Sequence, residues 1–539
     1  MKTIILLSLI FLNIQAQALT QKESIQLLNK SFGYVNLELF NKLKSLNKSQ
    51  TAQFILNYSE QELEIGYQWM DRTNFLMSTG FNCFMRRKYI CDKKNKEILL
   101  KKNFDNFKAL MIENNLQFRG VPNAQEIQLE DFRSQLVRGS GLTGRTQSKL
   151  YRLFQNSTLN TFIKNKNGFV DKMSLFFQNH FVSTLRESRS VTMMNDQFNL
   201  IRKYSVGNLK DLVKEITLDP AMLKYLDGDG NKCIKVDGSC VAPNENYARE
   251  LMELFTLGVN GENGAGNCYT EKDIKNAAQA LTGYSVDQFT KVVTFKKRWS
   301  DFDGNIKAHP KKPIFTQSCQ VKGFDVIEQA DSFVTDSHSL VDVLFARRGK
   351  QIARYITHKV LKEFIDPKHP SFQQLLETTQ SKFFESNFEL KVIYQEIFKS
   401  KSFYSDQNHL THIRSPLEVF LSIYKSFSSQ ELAKIKINSI TNLLKRSKQD
   451  LFNQPDVKGW RTGYDWIDTS SYTYRLEIVN YTFSKILPEI CTANLKLFKK
   501  KVNLFRKVNN IPQDFKFKNC NSLNKLKNLI IGTDFVQKR

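Results

Sequence analysis

The chemistry this chain could perform starts with two carboxylates. Glu250 and Glu253 stand three residues apart, so on a helix both project to one face. Carboxylates held close repel, and their pKa values split: one can donate a proton while the other stays ionised, or the pair can share a divalent cation. Asn246 and Arg249 lie on the same polar side. The competing reading is a buried ion-pair lattice in which Arg249 and a distant Arg475 neutralise the acids. His180, next to Asn179, is the histidine best suited to be a general base or metal ligand, provided its helix packs beside that of Glu250. A lone His on a half-apolar stripe is more often a satisfied core residue. Asp303 and Lys307 fall in an irregular stretch, where site residues concentrate. Asp303 would complete a catalytic set with His180, Glu250 and Glu253. Asn179, Asn246, Arg249, Lys307, Trp460, Trp466 and Arg475 would line it. Trp460 and Trp466, spaced by Gly463, suit a loop that borders a cleft or stacks on a sugar ring; the plainer expectation is a packed loop capping the core.

Other motifs carry less. Asp227-Gly-Asp-Gly-Asn231 opens like a calcium loop, but the EF-hand needs Gly at its sixth position and Glu at its twelfth, where this chain has Lys232 and Gly238. The run Gly139 to Gly144 lacks the Lys-Ser/Thr of a phosphate-binding loop. There is no Gly-x-Ser-x-Gly elbow and no His-Glu-x-x-His. No Cys/His spacing suits zinc.

The elements that must position these residues read as helices. Only 11 Pro and 23 Gly in 539 residues argue for long elements with few tight turns. Met173, Phe177 and Phe181 recur every four residues, a stripe facing a core, with Phe176 and His180 on the neighbouring stripe. Asn244 to Leu257 is the clearest helix, with Asn244 as N-cap and Gly258 as terminator. Thr270 caps a second helix with Asp273 as its capping-box partner, and Gly283 ends it. Further helices are expected over Asp325 to Val334, Ser337 to Phe345, Lys350 to Phe364, Pro370 to Gln380, Leu390 to Ser400, Pro416 to Ser426 and Ser471 to Leu487. Val292, Val293 and Phe295 suggest a short strand. The expected fold is mainly α: a large multi-helix globular body with a small irregular or β excursion near residues 286–315.

Met1-Lys2, the apolar run Ile4 to Ile14 and Ala16-Gln17-Ala18 read as a signal peptide spanning residues 1–18. No later segment is apolar for long enough to span a bilayer, which needs about 20 residues. A periplasmic or secreted protein is expected, with a helical domain over 19–490, either one body or two helical subdomains, and a basic extension over 491–539. The eight cysteines fit an oxidising compartment. The short spacings favour Cys83 with Cys91 and Cys233 with Cys240 as disulfides, and leave Cys268, Cys319, Cys491 and Cys520 open. The net charge of +26 suits a polyanionic partner, an anionic glycan, lipopolysaccharide or another polyanion; the plainer expectation is a Lys- and Asn-rich composition with solvated faces.

The segments NENYARELMELFTLGVNG (Asn244 to Gly261) and YTEKDIKNAAQALTGY (Tyr269 to Tyr284) resemble a bacterial family of exported proteins, the domain of unknown function 1800. KMSLFFQNHF (Lys172 to Phe181), DFDGNIK (Asp301 to Lys307), RSPLE (Arg414 to Glu418) and QPDVKGWRTGYDWIDTSSYTYR (Gln454 to Arg475) extend the resemblance from about Gln26 to about Arg475. The chain departs from the family pattern at Phe177-Gln178, where the family has Trp-His, and at Phe302 in place of a His. The resemblance implies an exported helical protein, sometimes encoded beside a second exported protein that could be its partner, and no established reaction. Two functions remain in play. One is a hydrolase or other enzyme acting on an envelope or extracellular polymer, with a divalent metal as its conceivable cofactor. The other is a non-catalytic binding or assembly protein that holds an anionic surface or partner.

Overall fold

The computed structural model describes residues 17–57 without 35–36, the isolated positions 108, 112, 124–126 and 128, and residues 144–286 without 166–167, 237–238, 242 and 260–267. It also describes 293–296 and 312–531 without 316, 318, 320, 323–331, 335, 428–435, 510 and 512–514. Asp303, Lys307, Cys83 and Cys91 lie outside these residues.

The fold is mainly α. Helices are set where apolar periodicity meets a capping residue. Thr20 opens the Gln21–Leu27 helix with a reciprocal box: Glu23 N–H donates to Thr20 Oγ1 at 3.2 Å, and Thr20 N–H to Glu23 Oε2 at 2.8 Å. Asn208 caps Leu209–Thr217, whose Leu209, Leu212, Val213 and Ile216 are fully buried. The expected box of Thr270 and Asp273 opens Glu271–Ala280, and Gly283 follows at φ +98°. Asp273 also reaches outside its helix. Its Oδ1 accepts the N–H of Phe315 at 2.5 Å, which docks the strand Lys312–Ile314 on this helix.

Strands occur as three separate antiparallel pairs among the described residues: Ile234–Val236 with Ser239–Val241, Tyr284–Val286 with Val293–Phe295, and Lys312–Ile314 with Ser332–Val334. The second and third pairs form the expected excursion. Residues 332–334, read from sequence as the end of a helix, are extended instead, because Lys312–Ile314 offers them a pairing partner.

The Ser337–Phe364 helix joins the two pieces that the sequence suggests. It runs through, with a local break at Arg348 (φ −125°, ψ 17°). Arg348 is fully buried and explains the break. Its Nε donates to Cys268 O at 2.7 Å and its Nη2 to Gln317 O at 2.5 Å, with the guanidinium 4.8 Å from the Phe315 ring. Cys268 and Cys319 are themselves disulfide-bonded, so one buried arginine and one disulfide together fasten the excursion to the long helix.

The core centres on Gly168–His180, whose Phe169, Met173 and Phe177, with Phe181 beyond it, have no exposed surface. Phe169 meets Tyr394 at 5.1 Å and Phe398 at 5.5 Å between ring centroids. Each such ring contributes about 2–3 kcal/mol through burial. The C-terminal segment joins the same body: Leu495–Val508 buries Phe498, Val502 and Phe505, Leu523–Ile531 buries Leu526 and Ile530, and Cys491–Cys520 ties the Leu487–Ala493 helix to the turn that precedes Leu523. Cys233 is disulfide-bonded; the side chain of Cys240 is outside the description. No helix among the described residues is long and apolar enough to cross a membrane.

Candidate functional site

The Glu250 helix has an unexpected shape. Asn246–Glu250 is α-helical, but Leu251–Thr256 is π-helical. Leu257 N–H reaches back to Met252 O at 2.9 Å, and Thr256 Oγ1 donates to Leu251 O at 2.5 Å. The helix also starts later than Asn244 suggested: Asn244 Oδ1 accepts Asn246 N–H at 2.9 Å, and Glu245 takes the cap position. π-Turns inside helices recur at functional sites. Here the turn redirects the final carbonyls, which a helix end leaves without intrahelical partners. Those of Leu254, Phe255 and Leu257 each find a side chain. Tyr355 Oη donates to Leu254 O at 3.0 Å, Gln351 Nε2 to Leu257 O at 2.6 Å, and His180 Nε2 lies 3.0 Å from Phe255 O. Gly258 follows at φ +86°, where a Cβ would sit 2.8 Å from the Tyr355 ring.

His180 therefore joins the two helices, but it faces inward. It is 4 % exposed. A carbonyl only accepts, so Nε2 carries the proton, and Nδ1 receives a hydrogen bond from Lys359 Nζ at 2.8 Å. Burial first, then the Lys359 charge, holds the imidazole well below its usual pKa. Burial and Lys362 in turn depress Lys359 to about 8. The same arrangement recurs further along the long helix. His412 Nε2 lies 3.0 Å from Lys362 O, and its Nδ1 3.1 Å from Lys30 Nζ, which also donates to Phe364 O at 2.9 Å. The lone pair that a metal would need at His180 is turned to an ammonium, so this histidine does not fit a metal ligand. Among the described residues no group of three or more His, Cys, Asp or Glu is placed to hold a metal ion.

Asn179, not His180, faces the Gly- and Trp-bearing loop. Its Oδ1 accepts Trp460 N–H at 2.5 Å and its Nδ2 donates to Trp460 O at 3.2 Å. Gln454 Nε2 adds a bond to Gln178 O at 3.1 Å. The loop brings Lys458 within electrostatic reach of Glu250, and Asp456 within reach of Tyr225. Trp460 and Trp466 are each 5 % exposed, so their rings pack inward and are not open for stacking. Tyr464, on the one-turn helix Gly463–Trp466, is the exposed ring, at 71 %.

Glu250 is half-buried, and its Oε2 has neither solvent nor a hydrogen-bond partner. Burial, then the neighbouring Glu253, raises its pKa, against the pull of Arg249 and Lys458. Arg249 does not seal it: this guanidinium bonds Glu253 at 3.3 Å, Glu245 at 3.3 Å and Glu271 at 2.8 Å. Tyr225 is pushed up to about 12 by burial and by Asp456, Glu187 and Glu250. Glu250, Glu187, Asp456 and Tyr225 thus share one neighbourhood. Asn246 bonds Asp227 at its edge, at 3.0 Å.

Arg475 is not part of it. It lies fully buried near Glu418 and Arg414. There Lys172 bonds Glu418 at 2.9 Å and Glu363 at 3.1 Å, and Arg414 donates to Ser422, Asn29 and Asn509. Sequence reading missed Lys359, Lys172 and Glu363. The available signal was their place in the apolar period of their helices: Ile352, Ile356 and Val360 are buried, and Lys359 and Glu363 continue that face.

No curated protein and no solved structure matches the chain. A family match does, extending beyond the recognisable motifs at both ends. It covers residues 14–533 under the description "protein of unknown function (DUF1800)", and the chain belongs to that family.

Proposed function

We propose that the chain is a carboxyl-dependent hydrolase or transferase acting on an envelope or extracellular polymer, with Glu250 as its proton donor. The observation that carries this reading is the state of Glu250: a half-buried carboxyl with one oxygen unpartnered and its pKa raised by burial and by Glu253. A carboxyl that serves only packing is normally hydrogen-bonded or ion-paired. A carboxyl whose pKa is raised holds its proton to higher pH than a free one, which is the direction general-acid chemistry needs. Glu253, tied to Arg249, is the neighbouring carboxylate. Lys458 and Tyr225 border the site, and the exposed Tyr464 ring on the same loop suits stacking on a sugar ring. The described disulfides support an oxidising compartment, outside the cytoplasm.

The test is release of soluble fragments from a panel of envelope polymers, including peptidoglycan and an acidic polysaccharide, by the purified full chain. The Glu250→Gln variant should lose about 10²–10⁴-fold in rate with its circular dichroism unchanged. Tyr464→Ala should raise KM more than it lowers kcat. Cleavage that survives Glu250→Gln undiminished, or no cleavage of any polymer, would sink the reading.

A further inference from the structure

The C-terminal helices carry a second, separate surface. On Leu495–Val508, Phe498, Val502 and Phe505 face the body and are buried. Lys496, Lys500 and Lys507 lie on the opposite side and are exposed. At 100° per residue, positions four and eleven apart fall within about 40° of one another, so the three form a row about 16 Å long. Residues 515–518 pack beside this helix. Phe517 turns inward against Phe498, with ring centroids 5.4 Å apart, while Lys516 and Lys518 on either side of it are exposed. Arg506 donates to Phe515 O and fixes this segment to the helix, and Cys491–Cys520 closes the unit.

Two features define the partner. Among the described residues no carboxylate pairs with Lys496, Lys500, Lys507, Lys516 or Lys518, and none occurs between 490 and 531. Elsewhere surface lysines do find acids: Lys382 bonds Glu396 at 2.7 Å, and Lys210 and Lys214 share Asp342 at 2.7 Å each. The second feature is apolar. Among the described residues the large exposed hydrophobic side chains are Ile112, Ile234, Val236, Phe295 and Tyr464, and none belongs to this surface. An interfacial helix anchors in a bilayer through such side chains, and single-stranded nucleic acid needs aromatic platforms. A rigid lysine row with neither fits a hydrophilic chain that presents an anionic group at regular spacing.

We infer that this row is a docking surface for a linear acidic polysaccharide. It operates by counter-ion release and does not depend on the Glu250 chemistry. The test is equilibrium binding of the full chain to polygalacturonate at two salt concentrations. The triple variant Lys496→Glu, Lys500→Glu, Lys507→Glu is compared with Lys368→Glu, Lys399→Glu, Lys401→Glu, which changes net charge equally on other exposed positions. The first should lose about tenfold or more in affinity and show a shallower salt dependence; the second should stay within about twofold of wild type. A Lys→Gln version of the first triple guards against misfolding and should fall between. Equal losses in both triples would reduce the effect to net charge and overturn the inference. So would tighter binding to anionic lipid vesicles or to duplex DNA than to the polysaccharide.

Discussion

Asn179 holds the backbone of Trp460 at both its polar atoms, accepting the N–H at 2.5 Å and donating to the carbonyl at 3.2 Å. One amide side chain thereby holds this loop as a neighbouring strand would. The pinned residue follows Gly459 and Lys458, so the clamp fixes where Lys458 stands relative to Glu250. The positioning of the carboxyl site thus passes from the end of one helix, through a side-chain amide, to a loop.

This clamp makes Gly459 irreplaceable. It sits at φ +85°, and a Cβ there would lie 2.4 Å from Asn179 Oδ1 and 2.5 Å from Asn179 O. The first contact falls on an atom already bonded to Trp460, the second on backbone. Gly459→Ala should cost about 3 kcal/mol or more, from left-handed strain plus the clash. Asn179→Ala should cost about 1–3 kcal/mol, for two bonds lost and two buried backbone groups left open. Chemical denaturation measures both. An alanine at 459 tolerated within about 0.5 kcal/mol would show that the loop is free to move away from Asn179, contrary to the clamp.

Glu250 should be a site where function opposes stability. Its pKa is raised in the folded chain, so above the ordinary 4.5 the folded state holds more proton than the unfolded one. Stability from this group is present at low pH and declines as pH rises through the folded value. Glu250→Gln removes the titration. The variant should be more stable than wild type at pH 8, and this advantage should shrink towards pH 4. Thermal unfolding across that range is the measurement. A constant offset at every pH would show that Glu250 ionises as freely folded as unfolded.

The helical body was legible wherever packing follows a simple period and a cap marks its edge. Met173, Phe177 and Phe181 lie on one stripe because every fourth residue returns to the same face, and Thr270 with Asp273 announces a helix start in two residues. The π segment Leu251–Thr256 was not legible. One added residue in a turn leaves the same apolar letters in nearly the same order, and its cause lies in Tyr355, Gln351 and His180 on other helices. Of the candidate site, the polar letters at Asn179, His180, Glu250 and Glu253 stood out in the sequence. Their orientations did not, because Asn179 and His180 are adjacent and only tertiary packing decides which one turns to the loop. Lys359 was missed because charge on a helix suggests solvent, and its placement on the buried face becomes evident only once Ile356 and Val360 are known to be buried.

Gln178 lies in the segment Lys172 to Phe181, between Phe177 and Asn179. It has no exposed surface, and neither its Oε1 nor its Nε2 has a hydrogen-bond partner. Burying an amide that bonds nothing costs about 1–3 kcal/mol. Gln178→Met keeps the length and removes the polar atoms, so it should be neutral or stabilise the chain by about 1 kcal/mol. Gln454→Met is the contrast, since its Nε2 bonds Gln178 O, and it should destabilise by about 1 kcal/mol. Urea denaturation of the two variants compares them directly. Loss of stability at Gln178→Met comparable to that at Gln454→Met would mean the amide is satisfied by something bound beside it.

The Lys359–His180 contact should write two signatures into the pH dependence of stability. His180 is held well below 6.5 by burial and by the Lys359 charge, so below pH 6.5 the unfolded chain binds a proton that the folded chain refuses. Stability should drop as pH is lowered there, by up to about 1.4 kcal/mol per unit for this group. Lys359 is depressed from 10.5 to about 8. Between those values the unfolded state again holds the extra proton, so stability should rise with pH across that window. The ceiling is about 3 kcal/mol, and less will appear because the side chain partly reaches solvent. His412 beside Lys30 shares the acid signature, so differences between variants, not the wild-type curve, isolate the pair. Lys359→Met should remove its share of the alkaline rise, to which Lys30 and Arg414 also contribute, and weaken the acid fall, because the charge opposing His180 protonation has gone. His180→Gln should remove its share of the acid fall and leave the alkaline rise, because Lys359 stays half-buried beside Lys362. If both variants instead track wild type at every pH from 5 to 10.5, then the lysine and histidine ionise alike in the folded and unfolded chain, and the hydrogen bond joining them is not the tautomer-fixing contact described above.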